Sequence, residues 1–596
     1  MNRSNSPFKA LKQKGAALVV FFMAIILTGA VFLISDLGPD VLRTSAENNT
    51  STSLSKAKEA LLSYAVSYYY GQSTIGTPHL GNHGLLPCPE RPIGYNGEGN
   101  SSNQCGATHT NSLGRLPWKN LEIEPLLDSS GECLWYAVSG GFYNTPRSPM
   151  TNDDTPGMFQ ILNESGDIIQ GNTPEDRVVA VVMAPGRPLN NQNRSGAVAG
   201  QPCKVLGDTI VASDYLETYQ NTSNSSSSIN SADNIDQFIS ATGLNTNTSI
   251  NDRIITITSK EIFDRIKKNN LIYNDKVTLM GQTLGQCLIE YAQAGAVTSC
   301  PSITSCYTDC DNARDLCRAA AAPGPETAAC NKIRPTCRKV CVTNCLSPGG
   351  NNGNNGNNGN NGNNGNNGNN GNNGNNGNNG NNGGGGGGNP LPGGSGIYRL
   401  PWPALVDLSA DYRLNDNYID DNSTNLFFGR LPYITTNSSS SIEAITTIPF
   451  TTDDNLFEFC GIEADPDQEM FNLWENWKDH WFYVVGRDFA PDASAAPAVP
   501  CTNCPQFDGG TRHSAILIFS EQRINNQLRR ADETENPAPV NANSKAELAN
   551  YLEGNNLLNN GDPDGNGNYD SINSNDRLFC VPQDMTPPAT VNECTP

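Results

Sequence analysis

The sequence predicts an α+β protein. A long N-terminal transmembrane helix is followed by two duplicated units, each a helix with an antiparallel sheet, and the second unit carries a disulfide-stapled helical hairpin. Three observations predict this. The run from Gly15 to Ser35 has no charge and is almost wholly apolar. Seven short landmarks occur twice along the chain in the same order. Six cysteines between 306 and 341 lie symmetrically about one centre.

At about 1.5 Å per residue, a helix over Gly15 to Ser35 is about 30 Å long, enough for a bilayer core. Arg3, Lys9, Lys12 and Lys14 precede it with no acid, and Asp36 follows. That asymmetry keeps the basic side in the cytoplasm and exports the remainder. A secretory signal would have a shorter apolar core and a small-x-small cleavage site, and Ser35-Asp36-Leu37-Gly38 is a poor one. A plain membrane anchor is another reading of the same run. Gly38-Pro39 interrupts the helix. A second helix is expected from Asp40 to Tyr70, with Leu54, Ala57, Leu61, Ala65 and Tyr68 recurring at spacings of three and four.

A chain of 596 residues is long enough for several domains with sizeable cores. Its formal charge of −22 argues against nucleic acid as a partner. All 18 cysteines lie beyond the apolar run, and in an exported chain that reads as a disulfide framework.

The landmarks define the repeat. Ala60-Leu61-Leu62-Ser63-Tyr64-Ala65 corresponds to Cys287-Leu288-Ile289-Glu290-Tyr291-Ala292. Leu86-Pro87-Cys88-Pro89 corresponds to Leu400-Pro401-Trp402-Pro403, and Gly114-Arg115-Leu116-Pro117-Trp118 to Gly429-Arg430-Leu431-Pro432-Tyr433. Leu134 to Val138 returns as Trp481 to Val485. Ala180 to Ala184 followed by Leu189-Asn190-Asn191-Gln192 returns as Ala515 to Phe519 followed by Ile524-Asn525-Asn526-Gln527. Asp214-Tyr215-Leu216-Glu217 pairs with Asn550-Tyr551-Leu552-Glu553, and Asn251-Asp252-Arg253-Ile254 with Asn575-Asp576-Arg577-Leu578. The apolar runs have strand composition and strand length, and a helix packed on each small sheet gives an α+β unit. Prolines in the Leu-Pro-Cys and Leu-Pro-Trp segments fix φ at corners, with the cysteine or aromatic ring anchored inward. The boundaries are 16–56 for the transmembrane and proximal helix, 57–262 and 281–585 for the two units, and 586–596 for a tail.

The junction Lys14-Gly15-Ala16-Ala17-Leu18 resembles the cleavage site of type IV prepilins. The Leu-Pro-Cys and Gly-Arg-Leu-Pro-Trp motifs resemble those of large prepilin-like proteins, over about 57–262 and 281–585. The resemblance implies that prepilin peptidase cuts between Gly15 and Ala16, removing a leader of residues 1–15, and that the new N-terminus is methylated. It implies an inner-membrane single-pass protein with a periplasmic head, whose helix later packs with other pilins or pseudopilins at the cell surface. Val20 stands where major pilins carry glutamate, and the head is several times pilin size. Both features point to a non-repeating minor subunit at the tip of a type IV pilus or related secretion machine, priming assembly or adhering to a surface or secreted ligand. The alternative is an inner-membrane-anchored periplasmic scaffold or binding protein that does not enter a fibre.

The second unit holds an insert. Cysteines at 300, 306, 310, 317, 330, 337, 341 and 345 fall within residues 300–345, and within each half of the symmetric six, 306–317 and 330–341, spacings of four and seven place them on one stripe of a helix. Two antiparallel helices turning at Pro323-Gly324-Pro325 pair Cys306 with Cys341, Cys310 with Cys337 and Cys317 with Cys330, and Cys300 with Cys345 adds a fourth rung. So small a hairpin has almost no core and depends on its bridges. A metal cluster is the rival, but zinc sites favour CxxC pairs. Residues 346–397 follow, with eleven Asn-Asn-Gly triplets and a glycine run, the composition of a disordered tether.

Asp562, Asp564, Asn566, Asn568 and Asp570 alternate as in an EF-hand loop, with Gly567 at the sharp turn and Asn573 in the place of the bidentate glutamate. Calcium is one expectation there and an Asn/Asp/Gly turn the other. Cys88 and Cys105 bracket a loop and make a plausible bridge, and Cys580 with Cys594 would pin the C-terminus. Cys133, Cys203, Cys287 and Cys460 have no partner assigned by spacing. Cys501-Thr502-Asn503-Cys504 lacks the βαβ setting of a thiol oxidoreductase and reads as structural. The five histidines form no HExxH, and neither GxSxG nor a phosphate loop occurs. No enzyme activity is expected.

Overall fold

A computed structural model describes residues 19–28, 39–67, 82–143, 150–320, 398–435, 455–529 and 544–595, with short interruptions inside these ranges, and scattered positions between 333 and 341. The expected long transmembrane helix needs correction. Among the described residues, 19–28 are helical and Pro39–Ser67 form α1. α1 is rich in Asn, Ser and Thr. Among the described residues, no helix is long and apolar enough to cross a membrane. Gly15 and Ala16, with the leader, lie outside the described residues, as does the 346–397 tract.

The chain divides into two compact units. The first takes Met1–Tyr64, Leu86–Ser148 and Gly157–Glu261. The second takes Ala65–Leu85, Pro149–Pro156 and Ile262–Pro596. Two stretches within 57–262 therefore belong to the second unit.

In the first unit, β1 (Ser112–Arg115), β2 (Trp135–Val138), β5 (Val178–Ala184) and β7 (Arg253–Thr258) form an antiparallel path. Between them in sequence lie β3 (Phe159–Leu162), β4 (Ile168–Gln170) and β6 (Asp236–Ile239), which extend the sheet from the end of β5. Leu113, Trp135, Ala137, Phe159, Val181 and Met183 share its core. Leu54, Ala57, Leu61 and Ala65 of α1 are buried, as their spacing predicts.

In the second unit, β8 (Phe428–Arg430), β9 (Trp481–Val485), β10 (Ala515–Phe519) and β11 (Arg577–Val581) repeat the antiparallel path, and β12 (Asn592–Glu593) adds to its end. The registers coincide. Gly114 lies opposite Tyr136 as Gly429 lies opposite Tyr483. Tyr136 faces Val182 as Tyr483 faces Leu517, and Val182 faces Ile255 as Leu517 faces Phe579.

The two proline motifs of each unit fold as one device. Glu90 exchanges both backbone hydrogen bonds with Arg115, at 2.9 Å each, and Ala404 does the same with Arg430 at 2.9 and 2.8 Å. A Cβ on Gly114 would lie 2.1 Å from the Glu90 carbonyl oxygen, and one on Gly429 would lie 2.0 Å from that of Ala404. The approach of the two chains therefore excludes any side chain, which is why each motif opens with glycine. Arg115 and Arg430 are buried. Arg115 lies against the rings of Trp135 and Tyr215, and Arg430 against those of Phe482, Tyr551 and Tyr412. Arg115 donates to the carbonyl of Cys203, and Arg430 to those of Val406, Asp479 and Lys545.

Helices α2 (Ser259–Lys267) and α3 (Asn274–Ala296) come next in the chain. α3 packs on β11, where Gly281 lies against Phe579 and Gly285 against Val591. The insert opens with α4 (Ile303–Ala320). Cys306 is bonded to Cys341 and Cys310 to Cys337, and Cys317 is also in a disulfide. Cys300, Cys330 and Cys345 lie outside the described residues. α5 (Leu456–Cys460) is tied to α3 through Cys287–Cys460.

Candidate functional site

The densest buried charge among the described residues lies in the second unit. There α6 (Glu469–Trp477) runs into a 3-10 turn, Lys478–His480, and then into β9. The turn drives Lys478, Asp479 and His480 inward, and all three are fully buried. The segment Thr151 to Asp154 lies against them. Thr151 N donates to Asn476 Oδ1 at 3.1 Å. Asn152 Nδ2 donates to Asn476 O at 2.9 Å and to Asp479 Oδ1 at 3.0 Å.

His480 Nδ1 lies 2.7 Å from the Ser520 carbonyl oxygen. A carbonyl only accepts, so Nδ1 carries a proton. Nε2 lies 3.0 Å from Asp154 Oδ2, 3.9 Å from Asp479 Oδ1 and 4.0 Å from Asp153 Oδ1. Cations close the cluster. Lys267 pairs with Asp153 and Lys545 with Asp479. Arg523 Nε is 3.3 Å from Asp154 Oδ1, and Arg529 NH1 is 3.9 Å from Oδ2. Burial alone would raise the Asp154 carboxyl, but His480, Arg529 and Lys545 together hold it well below the usual carboxylate range. Burial also opposes ionisation of Asp479, and Lys545 and His480 outweigh it, leaving the carboxyl lowered. Lys545 is desolvated too, yet Asp479, Tyr551 and Asp154 raise it above its ordinary value.

One donor atom from each of Asp153, Asp154 and His480 lies within 4.8 Å of the others, a spacing that suits a metal ion. Two lysines and two arginines already offset the three carboxylates, so the arrangement is an internal ion network. It fixes Pro149–Pro156 in the second unit. Only the adjacent acids Asp153-Asp154 and the run Lys478-Asp479-His480 marked it in the sequence, and nothing local says that they meet.

A second polar cluster occurs once in each unit. Arg194 donates to the carbonyls of Gly186, Asp214 and Tyr215 and to Gln192 Oε1. Arg529 does the same with Glu521, Asn550, Tyr551 and Gln527. Gln192 Nε2 donates to Glu217 Oε1 as Gln527 Nε2 does to Glu553 Oε1. Asn224 Nδ2 donates to Asp252 Oδ2 as Asn556 Nδ2 does to Asp576 Oδ2, each at 2.9 Å. Burial and Glu217 raise Asp252 well above its ordinary range, and burial and Glu553 push Asp576 up to about 7. Recurrence in both units marks this cluster as part of the fold.

The raised Asp576 has a consequence for stability. Between about pH 3.9, where an unfolded aspartate loses its proton, and about 7, the folded chain keeps that proton. The group's contribution is full below the lower value and falls as pH rises through the upper one, by about 1.4 kcal/mol per unit at most. Asp576→Asn is expected to flatten this slope. Its thermal midpoint should fall less than that of the unsubstituted chain between pH 5 and 8, and parallel falls would refute the assignment.

Cys501 and Cys504 are joined and both are buried. The backbone N–H groups of Thr502 and Asn503 donate to Asp488 Oδ2 at 3.3 and 3.2 Å, and Cys501 N donates to Gln583 Oε1 at 2.8 Å. Enclosure of this kind leaves no exposed sulfur for exchange. Every described cysteine is disulfide-bonded. Cys88 pairs with Cys105, Cys580 with Cys594, Cys133 with Cys203 and Cys287 with Cys460. Of the calcium-loop residues, Asp562, Asp564 and Asn573 lie outside the described residues. Asn568 Oδ1 accepts from Gly509 N at 2.6 Å, and the Asp570 carboxylate accepts from Asn555. Asn566 lies just before the short strand Asn568–Tyr569.

No family model, no characterised protein and no solved structure matches the chain.

Proposed function

We propose that the chain is a minor-pilin-like, non-repeating subunit of a type IV pilus or related secretion machine, acting at the tip in assembly priming or adhesion. The observation that carries this reading is the junction Lys14-Gly15-Ala16-Ala17-Leu18 behind a basic leader. Bonding of every described cysteine supports a head that works in an oxidising space outside the cytoplasm. The described buried polar clusters are spent on shape, which suits a binding or structural role rather than catalysis. Prepilin peptidase would be the processing partner, other pilins the assembly partners, and a surface or secreted molecule the ligand.

The second reading is an envelope scaffold that never enters a fibre, which the disulfide-bonded cysteines fit equally. N-terminal mass analysis of the protein from cells with and without prepilin peptidase separates the two. A chain beginning at Ala16 only where the peptidase is present, and left at Met1 by Gly15→Leu, supports the pilin-like reading. A chain beginning at Met1 in both strains refutes it and leaves the scaffold.

A further inference from the structure

A second buried constellation gathers around Lys478, the first residue of the turn Lys478–His480. Lys478 and Trp474 are fully buried. Lys478 Nζ donates to Asn415 Oδ1 at 2.9 Å, and Trp474 Nε1 donates to the same oxygen at 3.1 Å. Asn415 Nδ2 donates to Glu475 Oε1, and that oxygen lies 3.5 Å from Lys478 Nζ. Two donors on the amide oxygen and a carboxylate on the amide nitrogen fix which way the amide points. The rings of Phe457, Tyr418 and Tyr433 pack on Trp474 and give the site apolar walls.

We propose that Lys478 and Asn415 are joined by an intramolecular isopeptide bond, made by the folded chain with Glu475 carrying the protons. The amine is held on the oxygen of the carbonyl carbon it must attack, so nucleophile and electrophile are already side by side. The attack uses the amine in its neutral form and the carboxylic acid, and one proton passed from Lys478 Nζ to Glu475 Oε1, 3.5 Å away, supplies both. Lys478 Nζ adds its electron pair to Asn415 Cγ, and the C=O electrons move onto Oδ1, where the Trp474 N–H stabilises the developing charge. Glu475 gives its proton to the Asn415 Nδ2 group, the Cγ–Nδ2 bond breaks, and ammonia leaves as the C=O reforms. The excess proton on Nζ returns to Glu475. The balance is one amine and one primary amide giving one secondary amide and one ammonia, with no oxidant or cofactor. Lys545 with Asp479 does not form such a set, because Asp479 is held ionised and offers no amide nitrogen to expel.

The bond would close a loop of 63 residues in the second unit. Like a disulfide it restricts the unfolded chain, but reductants do not open it. That suits a head exposed to pulling, although the inference does not depend on the fibre reading.

The test is a peptide map and intact mass of the full-length protein after reduction and alkylation. The expected result is a branched tryptic peptide joining residue 415 to Lys478. Intact mass should be lower than the sequence value by one ammonia, and Glu475→Gln should restore that ammonia after allowance for the substitution. A linear peptide ending at Lys478, with Asn415 intact and no mass deficit, overturns the proposal. The map of the unsubstituted chain decides the matter even if Glu475→Gln fails to fold.

Discussion

Asp154→Ala is expected to cost about 3–5 kcal/mol of folding stability, the usual consequence of removing one partner from a buried ionic set. Asp154 is fully enclosed, with His480 Nε2 at 3.0 Å and Arg523 Nε at 3.3 Å. Its removal leaves an imidazole and two guanidinium groups without the carboxylate that faces them, and a cavity where the side chain was. Asp154→Asn keeps the volume and removes the charge, so most of the loss should persist. The His480 ring lies 5.0 Å from that of Trp477, which makes tryptophan fluorescence a local reporter during urea unfolding. Losses below about 1 kcal/mol in both variants would show that the network is not what fixes Pro149–Pro156. Acid should weaken the same site. Asp154 and Asp479 have lowered pKa values in the folded chain, so their contribution is full above the unfolded value of about 3.9 and is lost as pH falls through the folded ones.

The second large effect concerns Cys287 and Cys460, which are 173 residues apart. Chain-entropy arguments assign a crosslink of that span about 5 kcal/mol, and a span of 3 residues, as between Cys501 and Cys504, about 2 kcal/mol. The pair Cys287→Ala with Cys460→Ala should therefore destabilise the second unit by about 3–5 kcal/mol, clearly more than Cys501→Ala with Cys504→Ala. Urea denaturation of the two double variants makes the comparison. Equal losses, or a larger one for the CxxC pair, would mean that the short bridge does more than close a loop.

Both effects arise from residues far apart in sequence, and that separates what could be read from the chain and what could not. The repeated strands were legible because each landmark carries its own local cause. Apolar runs of strand length specify β2, β5, β9 and β10, which pair in the sheets of the two units. The pairs Cys88–Cys105, Cys306–Cys341, Cys310–Cys337 and Cys580–Cys594 were legible for a similar reason, since short spans and helical spacing bring the sulfurs close.

Hydropathy misled at the N-terminus. It states which environment a segment prefers, not how far a helix runs, and among the described residues no helix is long and apolar enough to cross a membrane. The sequence by itself determined the duplication, the central apolar strands of each unit and the local disulfides. The tertiary structure alone decided that Cys133 meets Cys203, that His480 faces Asp154, and that Asn415 lies under Lys478. These contacts come from buried groups seeking opposite charge or a hydrogen-bond partner wherever the fold brings one near, and no periodicity along the chain records that search.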